Sequence, residues 1–262
     1  MQMAVTEQAM AYNEFAYFYD EFNGAADYEL LFRHVKAALD AHAVTDGIVA
    51  DLGCGTGELT LMLTQAGYDM IGIDQSEEML AVVRDKADQL GISNGLLLLR
   101  QDILNLDLYG SIRAAVSTFD TYNHIADLDA AIRNAAFFME EGGVFVFDMN
   151  TPYKHEQVLG DNTFTFEGED AACVWKNHYD AAHARVEIQI DIDYADTGEH
   201  FHEAFFEYSY TQQAIETALK KYGFCLESVC DGETFGPLRP DSQRFFFVAV
   251  KQYTQLGEQQ HA

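Results

Sequence analysis

The chain has 262 residues, with 15 Lys plus Arg against 43 Asp plus Glu and a formal charge of −28. An acidic excess of that size, with no basic cluster to offset it, excludes nucleic acid and anionic membrane surfaces as expected partners. Hydrophobic residues at 48% and aromatics at 13% require a globular chain with a sizeable core. Cys54, Cys173, Cys225 and Cys230 lack metal-ligand spacing and read as reduced thiols. With no basic-then-apolar leader and no run of transmembrane length, a soluble cytoplasmic protein is expected.

Residues 1–44 read as an N-terminal helical lid. Tyr12, Phe15, Tyr19 and Phe22 recur at helical spacing, Asn23-Gly24 breaks the pattern, and Tyr28 to Val35 resumes it. Such an aromatic stripe belongs to a core, while its tyrosine hydroxyls can also reach a pocket. Residues 45–150 then alternate strand and helix. Ile48 to Leu52 is an apolar run of the kind buried on both faces of a parallel sheet, and Gly53, Gly55 and Gly57 follow it at once. Met70 to Ile73 makes a second strand ending at Asp74, and Gly95 to Leu99 a third, closed by Gln101-Asp102. Ile112 to Val116 is a fourth, followed by Ser117-Thr118-Phe119-Asp120-Thr121-Tyr122-Asn123-His124. A helix from about Asp129 to Glu140 leads to a fifth strand, Val144 to Phe147, stopping at Asp148. Polar residues stand at the carboxyl end of every strand, the edge at which open α/β sheets bind ligands.

From 151 to 210 the period changes to two. Val174 to Tyr179, Ala184 to Tyr194 and His200 to Tyr210 alternate apolar and polar residues, predicting an antiparallel meander of three strands. His200 and His202 share a solvated face, with no third partner for a metal. Phe201, Phe205 and Tyr208, against Phe206 and Tyr210, offer an aromatic face through which a homodimer is expected. Residues 211–253 return to a helix, Thr211 to Tyr222, and end in an antiparallel pair, Cys225 to Val229 and Arg244 to Val250. The expected fold is α/β, a doubly wound, mostly parallel sheet of seven strands with the meander inserted after strand five.

The glycine pattern has a lookalike. A dinucleotide fingerprint beginning at Gly53 and Gly55 needs a small residue at position 58, where this chain has Glu58, and its third glycine comes one residue early. Val49-Ala50-Asp51-Leu52-Gly53-Cys54-Gly55-Thr56-Gly57 instead resembles the first motif of the class I S-adenosylmethionine-dependent methyltransferases, and Asp74 and Asp102 resemble their second and third. The resemblance spans residues 45–150 and implies S-adenosyl-L-methionine as cofactor. By that resemblance the main chain of Gly53, Cys54, Gly55 and Gly57 lies against its methionyl and ribose parts, with Asp51 near the amino end. Asp74 accepts from the ribose hydroxyls, with Gln75 beside it. Asp102 takes the adenine amino group and the Ile103 N–H a ring nitrogen, while Leu52, Met79 and Phe119 give apolar contact. Tyr12 completes the set.

Beyond the cofactor, the segment after strand four has no Asn-Pro-Pro-Tyr-like motif, and none of the cysteines follows a proline. What remains is similar to the small-molecule branch that includes the amino-sugar N,N-dimethyltransferases. The implied reaction is in-line transfer of a methyl group to a nitrogen or oxygen of a small molecule. His124 is the expected general base for a hydroxyl, and Tyr19 and Tyr122 orient the nucleophile. A non-catalytic cofactor-binding scaffold or sensor, and a macromolecule methyltransferase, are the alternatives.

Overall fold

The computed structural model describes residues 27–252 apart from 93, 168–170, 196, 197 and 199. Tyr12 and Tyr19, and the first expected helix, lie outside the described residues. The second is helix α1 (Tyr28–Ala41), capped by the Asp27 carboxylate, which accepts the Leu30 N–H. Its Leu31, Val35 and Leu39 form one stripe and enter a core cluster with Val49, Leu63 and Val146, so this helix is built into the sheet's packing.

Strands β1 (Ile48–Leu52), β2 (Asp69–Asp74), β3 (Leu96–Arg100), β4 (Ile112–Ser117) and β5 (Met139–Asn150) follow in order. Helices α2 (Glu58–Gln65), α3 (Glu77–Leu90) and α4 (Leu128–Phe138) connect them, except that β3 reaches β4 through a short 3-10 turn, Ile103–Asn105. After β5 come a π turn, Lys154–Leu159, and four antiparallel strands, β6 (Thr163–Glu167), β7 (Ala171–Asp180), β8 (Arg185–Tyr194) and β9 (His200–Tyr208). The first of these was not expected. Its residues alternate Thr and Phe, but the run is too short to separate from a loop by pattern alone. Helix α5 (Gln212–Lys221) and strands β10 (Phe224–Asp231) and β11 (Arg244–Lys251) complete the chain. The main sheet runs β10-β11-β5-β4-β1-β2-β3, with β1 to β5 parallel and β11 antiparallel to β5. This is the expected seven-stranded α/β sheet, and β1 and β4 stand at its centre.

The centre of the sheet is apolar on both faces. Phe147 of β5 stacks on Phe145 at 4.4 Å between ring centroids and on Phe247 of β11 at 4.9 Å. The four-stranded insert is amphipathic. Val186, Ile188, Ile190 and Ile192 of β8 point to its buried face, together with Phe201 and Phe205 of β9. Its other face is wet, where His202 and His200 bond Asp191 and Asp193 and Lys176 pairs with Asp191. The two imidazoles are therefore partners of carboxylates on a solvated face, as expected. Strand parity puts Tyr208 on that wet face with Phe206, and not with Phe201 and Phe205. The insert's aromatic face turns inward and packs on the π turn and the segment after β4. All four cysteines are free thiols, and no described helix is long and apolar enough to cross a membrane.

Truncating a ring at the centre of this stack tests the packing. Phe147→Ala is expected to cost about 3–5 kcal/mol, read as a lower urea midpoint; a loss below about 1 kcal/mol would show that the stack is not the core.

Candidate active site

β1 ends in an elbow whose three glycines all have left-handed backbones, Gly53 at φ +75°, Gly55 at +53° and Gly57 at +82°. The N–H groups of Gly53 and Cys54 both donate to Ile73 O, at 2.8 and 2.9 Å, binding the elbow to the end of β2. Packing adds a second demand for glycine. A Cβ on Gly53 would stand 2.3 Å from Thr121 Cγ2, and one on Gly57 2.7 Å from Val83 Cγ1. The close approach at these two positions is thus to the protein's own side chains. Gly57 caps α2 without a side chain, leaving the first N–H groups of that helix beside the elbow.

The elbow, Asp51, Tyr28, Thr118 and Phe119 line a cavity of about 30 Å³, and the Tyr28 and Phe119 rings meet across it with centroids 4.9 Å apart. Asp51 is buried and takes a 2.5 Å hydrogen bond from Thr60 Oγ1, yet burial pushes its pKa up to about 7. Asp74 accepts the N–H groups of Gly55 and Ser76, both at 2.9 Å, and burial raises its pKa as well. Among the described residues, no lysine or arginine lines the cavity. Two carboxylates short of counter-charge, Asp51 buried and Asp74 half-buried, stand beside main-chain donors and fit a ligand that carries an ammonium, a sulfonium and hydroxyls.

The other expected cofactor residues divide. Cys54 lines the cavity, its thiol pushed well up by burial. Asp102 is exposed, its oxygens accepting Leu104 N–H and Asn105 Nδ2, and Ile103 is buried behind it. Gln75 is exposed at the β2 end, its carbonyl taking a bond from Arg100. Leu52 and Met79 are correctly read as apolar positions but are buried, Leu52 in the core behind the sheet, so neither side chain offers surface to a ligand. Only Phe119 of the three reaches the cavity.

Phe119 and Asp120 are left-handed without being glycine, at φ +56° and +53°. Asp148, at the end of β5, accepts both of their N–H groups, at 3.0 and 2.7 Å. Arg244 of β11 reaches Asp148 at 2.9 Å and Asp120 at 2.8 Å, closing the clamp. The 3-10 turn Thr121–His124 starts from this clamp. Tyr122 points the opposite way from the expected one: it is fully buried between Phe145 and Phe147, so it belongs to the core and cannot touch an acceptor. Asn123 ties β5 to β9, accepting Asn150 N–H and donating to Tyr208 O.

His124 is part-exposed, with Nε2 3.8 Å from Asp120 Oδ2 and its ring 5.2 Å from that of Phe205. Ligand atoms of Asp120, His124 and Glu207 lie within 4.8 Å of one another. Asp120 is already bonded to Arg244, and Glu207 to Asn150 and His155, so the cluster has its counter-charges without an ion. Burial pushes Glu207 up, but the His155 bond and the charges of His124, His155 and Lys154 outweigh it and hold the acid at about 2. Sequence reading passed over Glu207, Lys154, His155 and Arg244, which come from the insert, the π turn and the last strand. Only Asp148 had a local signal, as a polar residue at a strand's carboxyl end.

The chain matches a family of methyltransferase domains over residues 49–143. Over 253 residues it is 28% identical to the protein of Bacillus subtilis (strain 168) provisionally named methyltransferase YqeM, covering 94% of this chain and 99% of that one. A crystal structure of an S-adenosylmethionine-dependent methyltransferase from Clostridium acetobutylicum ATCC 824 superposes with a TM-score of 0.83 at 27% identity, covering 92% and 99%. The chain is a class I S-adenosylmethionine-dependent methyltransferase. Its fold is also that of CalS10 from Micromonospora echinaspora, an amino pentose methyltransferase solved with the cofactor bound, with a TM-score of 0.68 at 18% identity over 90% and 96% of the two chains. In this methyltransferase the elbow and the His124 turn are in direct contact, because Thr121 packs on Gly53 and its Oγ1 reaches Gly53 O at 3.4 Å as well as Thr118 O at 3.0 Å.

Removing the clamp carboxylate leaves two peptide N–H groups unpaired and Arg244 held by Asp120 alone. Asp148→Ala is expected to destabilise by about 3–5 kcal/mol, seen in chemical denaturation; a midpoint equal to wild type would remove the clamp from the account.

Proposed function

We propose that this methyltransferase moves the methyl group of S-adenosylmethionine to a nitrogen or oxygen of a small molecule held at His124. One juxtaposition carries the reading: the elbow with its cation-poor acids is locked by Thr121 to the turn that presents His124, Asp120 and the neighbouring Glu207. When bound, the cofactor supplies a methyl on a sulfonium sulfur, an excellent leaving group, so positioning can provide much of the rate.

In this reading Asp51 accepts from the cofactor's amino group, and Asp74 offers its remaining lone pairs to the ribose hydroxyls, with Gln75 beside it. Asp102 shares its oxygens between the turn it already caps and the adenine amino group, and Ile103 N–H meets the ring. Phe119 and Tyr28 close the cavity as a ring pair, and a nucleoside enters only when they part. For a hydroxyl acceptor His124 takes the proton, and Asp120 beside it stabilises the imidazolium that forms. A free amine needs no strong base. The likeness of fold to an amino pentose methyltransferase supports a nitrogen acceptor, and the acids around His124 would draw an amine toward it.

Calorimetric titration with S-adenosylmethionine, followed by S-adenosylhomocysteine release over a panel of amines and alcohols, tests the reading. Binding with release for some acceptor supports it, and release with no acceptor refutes it. Asp74→Ala is expected to weaken cofactor binding at least about tenfold; an unchanged dissociation constant would take Asp74 out of the site. His124→Gln should lower kcat with a hydroxyl acceptor by about 10²–10⁴, with KM little changed.

Asp51 gives the affinity a pH dependence. Its neutral form predominates below about 7 and cannot pair with an ammonium, so cofactor affinity should rise as pH increases through 7 and then level off. Asp51→Asn should flatten the profile, and a wild-type affinity independent of pH would contradict the amino-group role.

A further inference from the structure

Glu203 of β9 sits on the insert's buried face, opposite Ile190 and between Phe201 and Phe205 along its own strand. It is 5% exposed, and neither carboxylate oxygen has a hydrogen-bond partner. Glu207, four residues along the same face, is bonded by Asn150 and His155, so a carboxylate on this face can be satisfied by the protein and Glu203 is not. A buried acid without a partner is costly, and its retention calls for a reason outside the resting fold.

The position supplies one. Phe205, next on the same face, lies against the His124 ring. Successive same-face residues of a strand are about 7 Å apart, so Glu203 stands one such step from Phe205 along β9. The titratable groups on this face and on the elements packed against it, among the described residues, are Glu207 on β9, Cys173 and Tyr179 on β7, Tyr194 on β8, Asp120, Tyr122 and His124 from the turn after β4, and Lys154, His155 and Glu156 from the π turn. Lys154 is bonded to Asn150, Glu156 to Tyr179 and His155 to Glu207, so none of the three bonds Glu203. Two phenylalanine rings flanking an acid that lacks a counter-charge make a receptor for an organic cation.

We infer that Glu203 anchors the methyl acceptor by pairing with a protonated amine of that molecule, one strand step along β9 from the Phe205 ring that lies against His124. The inference rests on the acceptor site proposed at His124, and it narrows the substrate class to molecules that carry an amine besides the amino or hydroxyl group to be methylated. Burial holds the empty Glu203 carboxyl neutral, its pKa pushed up to about 8, so pairing with an ammonium near neutral pH expels a proton to solvent.

Calorimetry on the full chain saturated with S-adenosylhomocysteine tests this, using 1,5-diaminopentane, 5-aminopentan-1-ol and the uncharged 1,5-pentanediol as probes in two buffers of unlike ionisation enthalpy. The two amines are expected to bind at least about tenfold more tightly than the diol, releasing close to one proton. Glu203→Gln should lose both the preference and the release, while keeping S-adenosylhomocysteine affinity and a melting temperature no lower than wild type. The inference is overturned if the diol binds as tightly as the amines, if wild type releases no proton, if Glu203→Gln binds amines like wild type, or if no probe binds at millimolar concentration. Failure of S-adenosylhomocysteine itself to bind would instead strike the proposed function, and the two failures are read in the same titrations.

Discussion

The carboxylate of Asp148 is the point on which the geometry near His124 depends. It joins the end of β5 to the turn after β4 and, through Arg244, to β11. Two left-handed residues that are not glycine cost of order 1–3 kcal/mol each. Each hydrogen bond to a charged acceptor returns roughly 1.5–3 kcal/mol, and Asp148 receives two from the strained peptides themselves. The magnitudes favour the strained turn, and Arg244 decides the matter by supplying a planar fork that spans Asp148 and Asp120 together. A lysine there would be a point charge and could not hold both carboxylates in one plane. His124 stands four residues after Asp120 in a single 3-10 turn, so its place is inherited from that clamp.

Counter-charge divides the carboxyl edge into two halves. Around the elbow, buried Asp51 and half-buried Asp74 have hydrogen-bond donors but, among the described residues, no lysine or arginine lining the cavity, and burial raises both. Beside His124, Asp120, Asp148 and Glu207 have Arg244, Lys154 and His155 as neighbours, and Glu207 is driven down despite full burial. Neighbouring positive charge thus outweighs burial at Glu207, whereas burial still raises Asp148 despite Arg244. Since the chain as a whole is strongly acidic, this arrangement depends on where its few lysines and arginines are placed, and two of them, Arg244 and Lys154, converge on one corner of the site.

Most of the cofactor half was legible along the chain because it is local. A buried strand, a glycine elbow and a strand-end acid lie within a few residues of one another, and Gly53 to Gly57 takes left-handed backbone where the spacing indicated. The seven strands of the sheet were legible in the same way, while their order in the sheet came only from the structure. What escaped the sequence was tertiary. Tyr122 stands beside His124 in the chain, but a 3-10 turn sends successive side chains in different directions, and this one falls between two phenylalanines of β5. Leu52 looked available because it touches the motif, yet strand alternation buries it behind the sheet. Arg244 and Glu207 come from more than 80 residues further on than His124, and no local pattern marks either as its neighbour.

The insert shows how period two can carry chemistry that composition hides. Phe201, Glu203, Phe205 and Glu207 share one face of β9, while His200, His202, Phe206 and Tyr208 share the other. A slip of one residue would exchange the two sets, placing His202 and Phe206 where Glu203 and Glu207 now stand. Two constraints oppose that slip. The buried isoleucine ladder of β8 would have to trade aromatic and acidic partners for the imidazole face, and the bond from Asn123 to Tyr208 O fixes β9 against the main sheet. The side chain beside Tyr122 therefore serves register, and its neighbour His124 meets the correct face of β9 because Asn123 holds the strand there.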